Sequence, residues 1–276
     1  MTRKLLGILP KRIALRELVG SLTVTRGFRF GQQLASTSNG PSSAATVRTS
    51  ASVNPIGEYF DSHTEGLGIW KWRHYFELYQ HHFQKFVGQP VNVLEIGIYG
   101  GGSLGMWKEY FGPQCRIFGI DIEPACKSYE NESVRVFIGD QGNRDFWRSF
   151  RKQTPPLDIV IDDGGHQPEQ QIVTLEETLP HLRPGGVYLC EDVGPTPSEF
   201  MRYVSGLVLH LHSTNGLKSE PDNPERKIVS PATVFQSAIH SVHLYPFVVV
   251  IERREAPVKE FVAPKHGTEW LPFCDG

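Results

Sequence analysis

From residue 91 to residue 192, short apolar runs alternate with segments of helical periodicity. The runs are Val91–Ile96, Arg116–Asp121, Val134–Ile138, Leu157–Ile161 and Val187–Cys190, and each ends at or just before a glycine or an acid. Between them Leu104, Trp107 and Phe111, then Phe146, Trp147 and Phe150, then Ile172, Leu175, Leu179 and Leu182 recur at helical spacing. Strands alternating with helices predict an α/β fold with a mainly parallel sheet. Upstream, Trp72, Tyr75, Phe76, Tyr79, Phe83, Phe86 and Val87 step by three and four, which predicts a helix from Gly66 to Val87. Downstream, a helix is expected from Ser198 to His212. Ile239–Tyr245 and Phe247–Arg253 then flank Pro246 too closely for a crossover helix, so they must pair antiparallel. The polar stretch 213–231, with Gly216, Pro221, Pro224 and Pro231, reads as a loop, a candidate lid and the place where substrate choice lies.

Charge divides the chain. Residues 1–57 carry eight basic side chains and one acid, about +7, which leaves about -9 for 58–276. The first segment is Arg- and Ser-rich, the composition of either an organellar transit peptide or a solvated tail. The expected division is therefore 1–57 as a basic N-terminal segment and 58–276 as the catalytic domain. The compartment is intracellular: mitochondrial or another organelle if 1–57 is a transit peptide, otherwise cytoplasmic. Four cysteines without CxxC spacing read as reduced thiols. No apolar run approaches the ~18 residues of a membrane span. Trp270, Leu271 and Phe273 are expected to pack back onto the domain.

Candidate chemistry begins at V-N-V-L-E-I-G-I-Y-G-G-G-S, residues 91–103. Strand, Gly-rich turn and helix form a cradle for a nucleotide-type cofactor. A dinucleotide fingerprint needs glycine at 98, where Ile98 stands, so a dehydrogenase is disfavoured. Asp121, at the tip of the second run, suits the two ribose hydroxyls, with Glu123 as its rival. Asp140 can accept from an adenine amino group, and Gln141 continues that loop. The fourth run enters D-D-G-G-H, residues 162–166, and the fifth ends in Glu191 and Asp192. Neighbouring strands would bring Asp163, Glu191 and Asp192 together. Three like charges need a cation or protons to coexist. Carboxylate oxygens without thiols suit Mg²⁺ or Mn²⁺. Such an ion can hold a substrate hydroxyl while His166 takes its proton. Asp162 reads as facing the cofactor or supporting the turn. Adjacent strand residues point to opposite faces, so Glu191 and Asp192 can act together only if the strand ends or twists there.

The order E-x-G-x-x-G-G-G resembles motif I of the Rossmann-like S-adenosylmethionine (SAM) methyltransferases. With G-I-D-I-E-P, G-D-Q, I-D-D-G-G-H and G-G-V-Y-L-C-E-D, residues 58–255 resemble the magnesium-dependent sugar O-methyltransferases of antibiotic pathways, with the cephalosporin hydroxylase-like proteins as relatives. That resemblance implies a seven-stranded class I methyltransferase sheet with a C-terminal antiparallel hairpin. It implies a SAM site at Glu95, Gly97, Gly101, Ser103, Asp121, Asp140, Gln141 and Asp162. It also implies Mg²⁺ on Asp163, Glu191 and Asp192, His166 as base, a small hydroxylated acceptor such as a sugar or glycoside, and a possible homo-oligomer. This chain departs from the family by reading E-D-V-G-P-T after the fifth run. The alternatives are a related SAM- or metal-using hydroxylase-like enzyme and a SAM-binding protein without turnover. Nucleic acid is not an expected partner: D-D-G-G-H lacks the Pro-Pro-aromatic motif that stacks a flipped base, and the domain is acidic.

Overall fold

The structure is a computed structural model that describes residues 23–33, 54–194, 198–214, 216, 218–219 and 227–267. The chain divides into two compact units, Met1–Ser52 and Val53–Gly276. In the first, a helix α1 covers 23–33 and is exposed throughout. Most of the proposed transit segment, and the tail with Trp270, Leu271 and Phe273, lie outside the described residues.

The second unit opens with α2, Pro55–Ser62. This helix crosses the 57/58 boundary expected from composition, because Ile56 is fully buried. Asn54 starts it: its Oδ1 accepts from the amides of Ile56 and Gly57, both at 3.2 Å, while its Nδ2 donates to the Phe76 carbonyl at 2.8 Å. One side chain thus caps α2 and ties it to the next helix, α3, Tyr75–Phe83. The helix expected from Gly66 to Val87 is therefore shorter: α3 is followed only by a 3₁₀ turn, Gln84–Phe86. Residues 66–74 are not helical. Gly66 takes φ +94°, and Lys71 is drawn into the centre of the domain.

The main sheet contains β1 (Asn92–Ile96), β2 (Arg116–Asp121), β3 (Val134–Ile138), β4 (Leu157–Asp162), β5 (Leu182–Cys190), β8 (Ile239–Tyr245) and β9 (Val248–Arg253). Their order is β3-β2-β1-β4-β5-β9-β8. The first five strands run parallel, and β9 and β8 close the edge as an antiparallel hairpin, as expected. The helices α4 (Gly102–Phe111), α5 (Arg144–Gln153), α6 (Pro168–Thr178) and α7 (Glu199–Leu211) lie between and after the strands. One apolar layer joins Tyr75, Tyr79, Phe83, Trp107 and Phe111 to one face of the sheet; the other joins Trp147, Phe150, Val173, Phe200 and Val204 to the opposite face. All five residues of β1 are buried, as a central parallel strand requires. Each large side chain fully buried in these layers contributes roughly 1.5–3 kcal/mol.

Part of 213–231 is not loop. β7 (Lys227–Pro231) pairs with β6 (Lys218–Ser219) on one side and β10 (Glu260–Pro264) on the other in a separate antiparallel sheet, order β10-β7-β6. Between β7 and β8, Thr233 and Gln236 form a reciprocal capping box on the short helix α8, Val234–Ala238. The sheet order reverses at β1, which has β2 on one side and β4 on the other. In open parallel sheets that reversal opens a crevice at the carboxyl ends of the strands, where ligands bind.

Candidate active site

A cavity of about 1070 Å³ occupies this crevice. Gly97, Ser103, Asp121, Asp140, Gln141, Asp163, His166, Glu191 and Asp192 all border it. Gly97 ends β1 at φ +82°, and a Cβ there would stand 2.1 Å from the Asp163 carbonyl oxygen, so only glycine lets the two loops meet. Asp121 is held by two amides: Oδ2 accepts from Tyr99 N at 3.0 Å and Oδ1 from Glu123 N at 2.9 Å. Its rival Glu123 turns away to cap the following 3₁₀ turn. Asp140 Oδ1 accepts from Gly142 N at 2.8 Å. The Gln141 side chain points inward, donating to Asp162 Oδ1 at 2.9 Å and Thr174 Oγ1 at 3.0 Å and accepting from Gly165 N at 2.7 Å.

Three expected cofactor residues stand behind the cavity wall. Gly101 precedes α4 at φ +77°. Glu95 is fully buried, with Oε2 accepting from Ser103 Oγ at 2.7 Å. Asp162 is buried beneath the crevice and accepts from Tyr188 Oη at 3.1 Å. Burial pushes its carboxyl up to about 7, against the lowering effect of Gln141 and Tyr188.

The carboxylates converge as the strand order demands, but around a side chain that the sequence reading missed. Lys71 Nζ lies 2.6 Å from Asp163 Oδ2, 3.1 Å from Glu191 Oε2 and 3.4 Å from Glu95 Oε1. Burial works against its charge, but Glu191, Asp163 and Glu95 outweigh it and hold the ammonium well above the usual lysine range. Burial also raises Glu191, with Asp163 adding to the rise and Lys71 opposing it. Glu95 is raised for the same leading reason. Lys71 and the protons that these raised carboxyls hold therefore share in relieving the repulsion between them. From α3, Tyr79 Oη donates to Glu191 Oε1 and Tyr75 Oη to Asp192 Oδ1, both at 2.6 Å. Trp72 Nε1 donates to the same Asp192 oxygen at 2.9 Å.

β5 ends at Cys190, and Asp192 takes φ +48°. This left-handed turn lets Glu191 and Asp192 face one site. His166 (φ +55°) and Tyr99 (φ +39°) are strained in the same sense and also border the cavity. Such strain persists where surrounding structure holds it, commonly at functional sites. His166 Nε2 lies 4.0 Å from Asp163 Oδ1 and 3.9 Å from Asp192 Oδ2. Among the described residues, Asp163, His166 and Asp192 bring donor atoms within 4.8 Å of one another, while Glu191 faces Lys71 and Tyr79. The only available signal for Lys71 is one cation set between Trp70 and Trp72 in an aromatic run.

Both expected ligands fit these residues. The Gly97 turn leaves room for a cofactor against the backbone, with an acid at the tip of β2. His166 Nδ1, at the cavity border, is buried without a hydrogen-bond partner, which leaves it a polar atom for a ligand to satisfy. Asp163 and Asp192 offer the carboxylate oxygens that suit a hard divalent ion, and the expected third ligand, Glu191, could join them only by giving up its contacts with Lys71 and Tyr79.

Residues 94–193 match a family described as a methyltransferase domain. The 8-demethyl-8-(2-methoxy-alpha-L-rhamnosyl)-tetracenomycin-C 3'-O-methyltransferase of Streptomyces olivaceus is 41% identical over 133 residues, covering 46% of this chain and 33% of that protein. The mycinamicin VI 2''-O-methyltransferase of Micromonospora griseorubida is 34% identical over 193 residues, covering 63% and 47%. The chain thus spans half or less of the length of these relatives. Among solved structures, the MycE methyltransferase from the mycinamycin biosynthetic pathway, in complex with Mg and SAH, superposes with a TM-score of 0.56 at 26% identity, covering 73% of this chain and 54% of that one. Residues 94–193 therefore carry a methyltransferase domain, and the chain resembles the class I SAM-dependent methyltransferases of the antibiotic sugar O-methyltransferase type.

Proposed function

We propose that this protein is a SAM-dependent O-methyltransferase that methylates a hydroxyl of a small molecule, a sugar or glycoside, with the help of a divalent ion. The observation that carries this reading is the position of His166. Its Nε2 faces Asp163 and Asp192 at the border of the same cavity that Gly97 and Asp121 line. A hydroxyl placed there would lie beside both a proton acceptor and a carboxylate pair. The similarity to sugar O-methyltransferases, one of them solved with Mg and SAH, supports the choice of acceptor and ion.

SAM, when bound, supplies a methyl carbon already activated by its sulfonium. Asp121 would hold the ribose, and the 97–103 turn would seat the rest of the cofactor. Asp163, Glu191 and Asp192 would hold Mg²⁺ or Mn²⁺, which supplies Lewis acidity toward the acceptor oxygen. His166 Nε2 would take the proton of the acceptor hydroxyl. Tyr75 and Trp72 keep Asp192 oriented, and Tyr79 does the same for Glu191. Burial, and next Asp192, raise Tyr75 above the usual tyrosine range, so it stays a donor.

Transfer of labelled methyl from SAM to a panel of rhamnosides and other glycosides tests this reading. His166→Ala is expected to reduce transfer by roughly 10²–10⁴-fold while SAM affinity is unchanged. A variant that keeps full transfer, or that loses SAM binding, contradicts this division of labour. The basic segment 1–57 as a transit peptide is a separate proposal, supported by composition alone.

A further inference from the structure

Lys71 has no part in the chemistry above, yet it occupies the centre of the site. Its side chain is 3% exposed and is delivered by the irregular stretch before α3, far in sequence from each partner. Burying an ammonium costs several kcal/mol unless it is well paired. Here the partners are Glu95, Asp163 and Glu191, each within 3.4 Å of Nζ. Without the lysine, these carboxylates would crowd one buried volume with no positive charge. Two of them, Asp163 and Glu191, also belong to the proposed divalent-ion set. Lysine is a compact point charge on a flexible stem, suited to being displaced by a stronger cation.

We propose that Lys71 is the resident cation of this site: it holds Glu95, Asp163 and Glu191 together in the absence of a divalent ion and competes with such an ion for Asp163 and Glu191. The competition rests on the ion-dependent reading above; the holding role does not.

Two measurements on the full chain separate these parts. The first is the thermal unfolding midpoint in EDTA. Lys71→Met is expected to lower it by roughly 5–15 °C. Adding Glu191→Gln to Lys71→Met should recover part of that loss, because it removes one of the repelling charges. Additive losses would overturn the holding role, since they would mean Lys71 and Glu191 contribute independently. The second is Mg²⁺ binding by calorimetry. Lys71→Met should bind Mg²⁺ on the order of tenfold or more tightly than the wild type, because an ammonium no longer repels the ion. Lys71→Arg, which keeps the charge, should not. Equal or weaker binding by Lys71→Met would overturn the competition. Absence of Mg²⁺ binding in both proteins would overturn it together with the ion-dependent reading, leaving the unfolding data to decide the holding role. Lys71→Gln, with a polar head, is measured in parallel, with the same expectations, should the Met variant fail to fold.

Discussion

At the scale of single residues, the site combines buried groups (Lys71, Glu95, Asp162, Glu191) with more exposed ones (Asp163, His166, Asp192), and neighbours decide what each can do. Asp162 shows this most simply. It sits behind the cavity with no cation against it, and burial raises it to about 7 from 3.8. A carboxyl raised in the folded state contributes stability that is fully present below about pH 3.8 and is lost as the pH rises through about 7. Asp162→Asn, which cannot ionise, should therefore be more stable than the wild type at about pH 8, by roughly 1–3 kcal/mol, with no advantage near pH 4. Denaturant unfolding of both proteins across that range checks it; an Asn variant that is less stable at alkaline pH contradicts it. Asp121, which ends β2, and Asp163, Glu191 and Asp192, which follow β4 and β5, were legible in the sequence because the apolar pattern marks those strand ends. Lys71 was not. Its place depends on a non-helical path through residues 66–74, and nothing in local spacing tells a buried cation from a solvated one.

At the scale of elements, α3 links the site to the sheet edge. Its first turns hold Asp192 and Glu191 through Tyr75 and Tyr79. Its last turn places His82 between Glu252 Oε1, at 2.8 Å from Nδ1, and Tyr245 Oη, at 3.0 Å from Nε2. The helix is thereby fastened to the β8–β9 hairpin. The hydrogen bond from His82 depresses Glu252 to about 2, so its contribution is present above the ordinary carboxylate value of 4.5 and lost as the pH falls through about 2. Glu252→Gln should cost roughly 1–3 kcal/mol at neutral pH, and the difference should shrink as the pH is lowered from about 5 to about 3. A cost that does not change with pH would show that packing, not charge, fastens the helix. The aromatic periodicity of this segment revealed a helix but overstated its length. Trp72 fits the helical spacing, yet it lies outside α3 and bonds to Asp192. The polar stretch 213–231 was harder. β7 pairs with β10, some thirty residues further along, and such pairing leaves no mark on local composition.

At the scale of the whole molecule, the strand order creates the site. Because β1 lies between β2 and β4, the loops after β1 and β2 open to one side and those after β4 and β5 to the other. The cavity between them joins the expected cofactor residues to the expected acceptor residues. The five parallel strands were legible because each is a short apolar run with a glycine or acid at its end, and the closing hairpin because Pro246 separates its strands too closely for a crossover. The antiparallel sheet was not, and neither were the two layers in which the aromatic side chains pack. No described helix is long and apolar enough to cross a membrane. Whether this crevice binds SAM is decided by calorimetric titration of the chain with SAM. Saturable binding at about micromolar Kd is expected, weakened on the order of tenfold by Asp121→Ala and retained in His166→Ala. No binding at about millimolar SAM, or binding indifferent to Asp121→Ala, would contradict it.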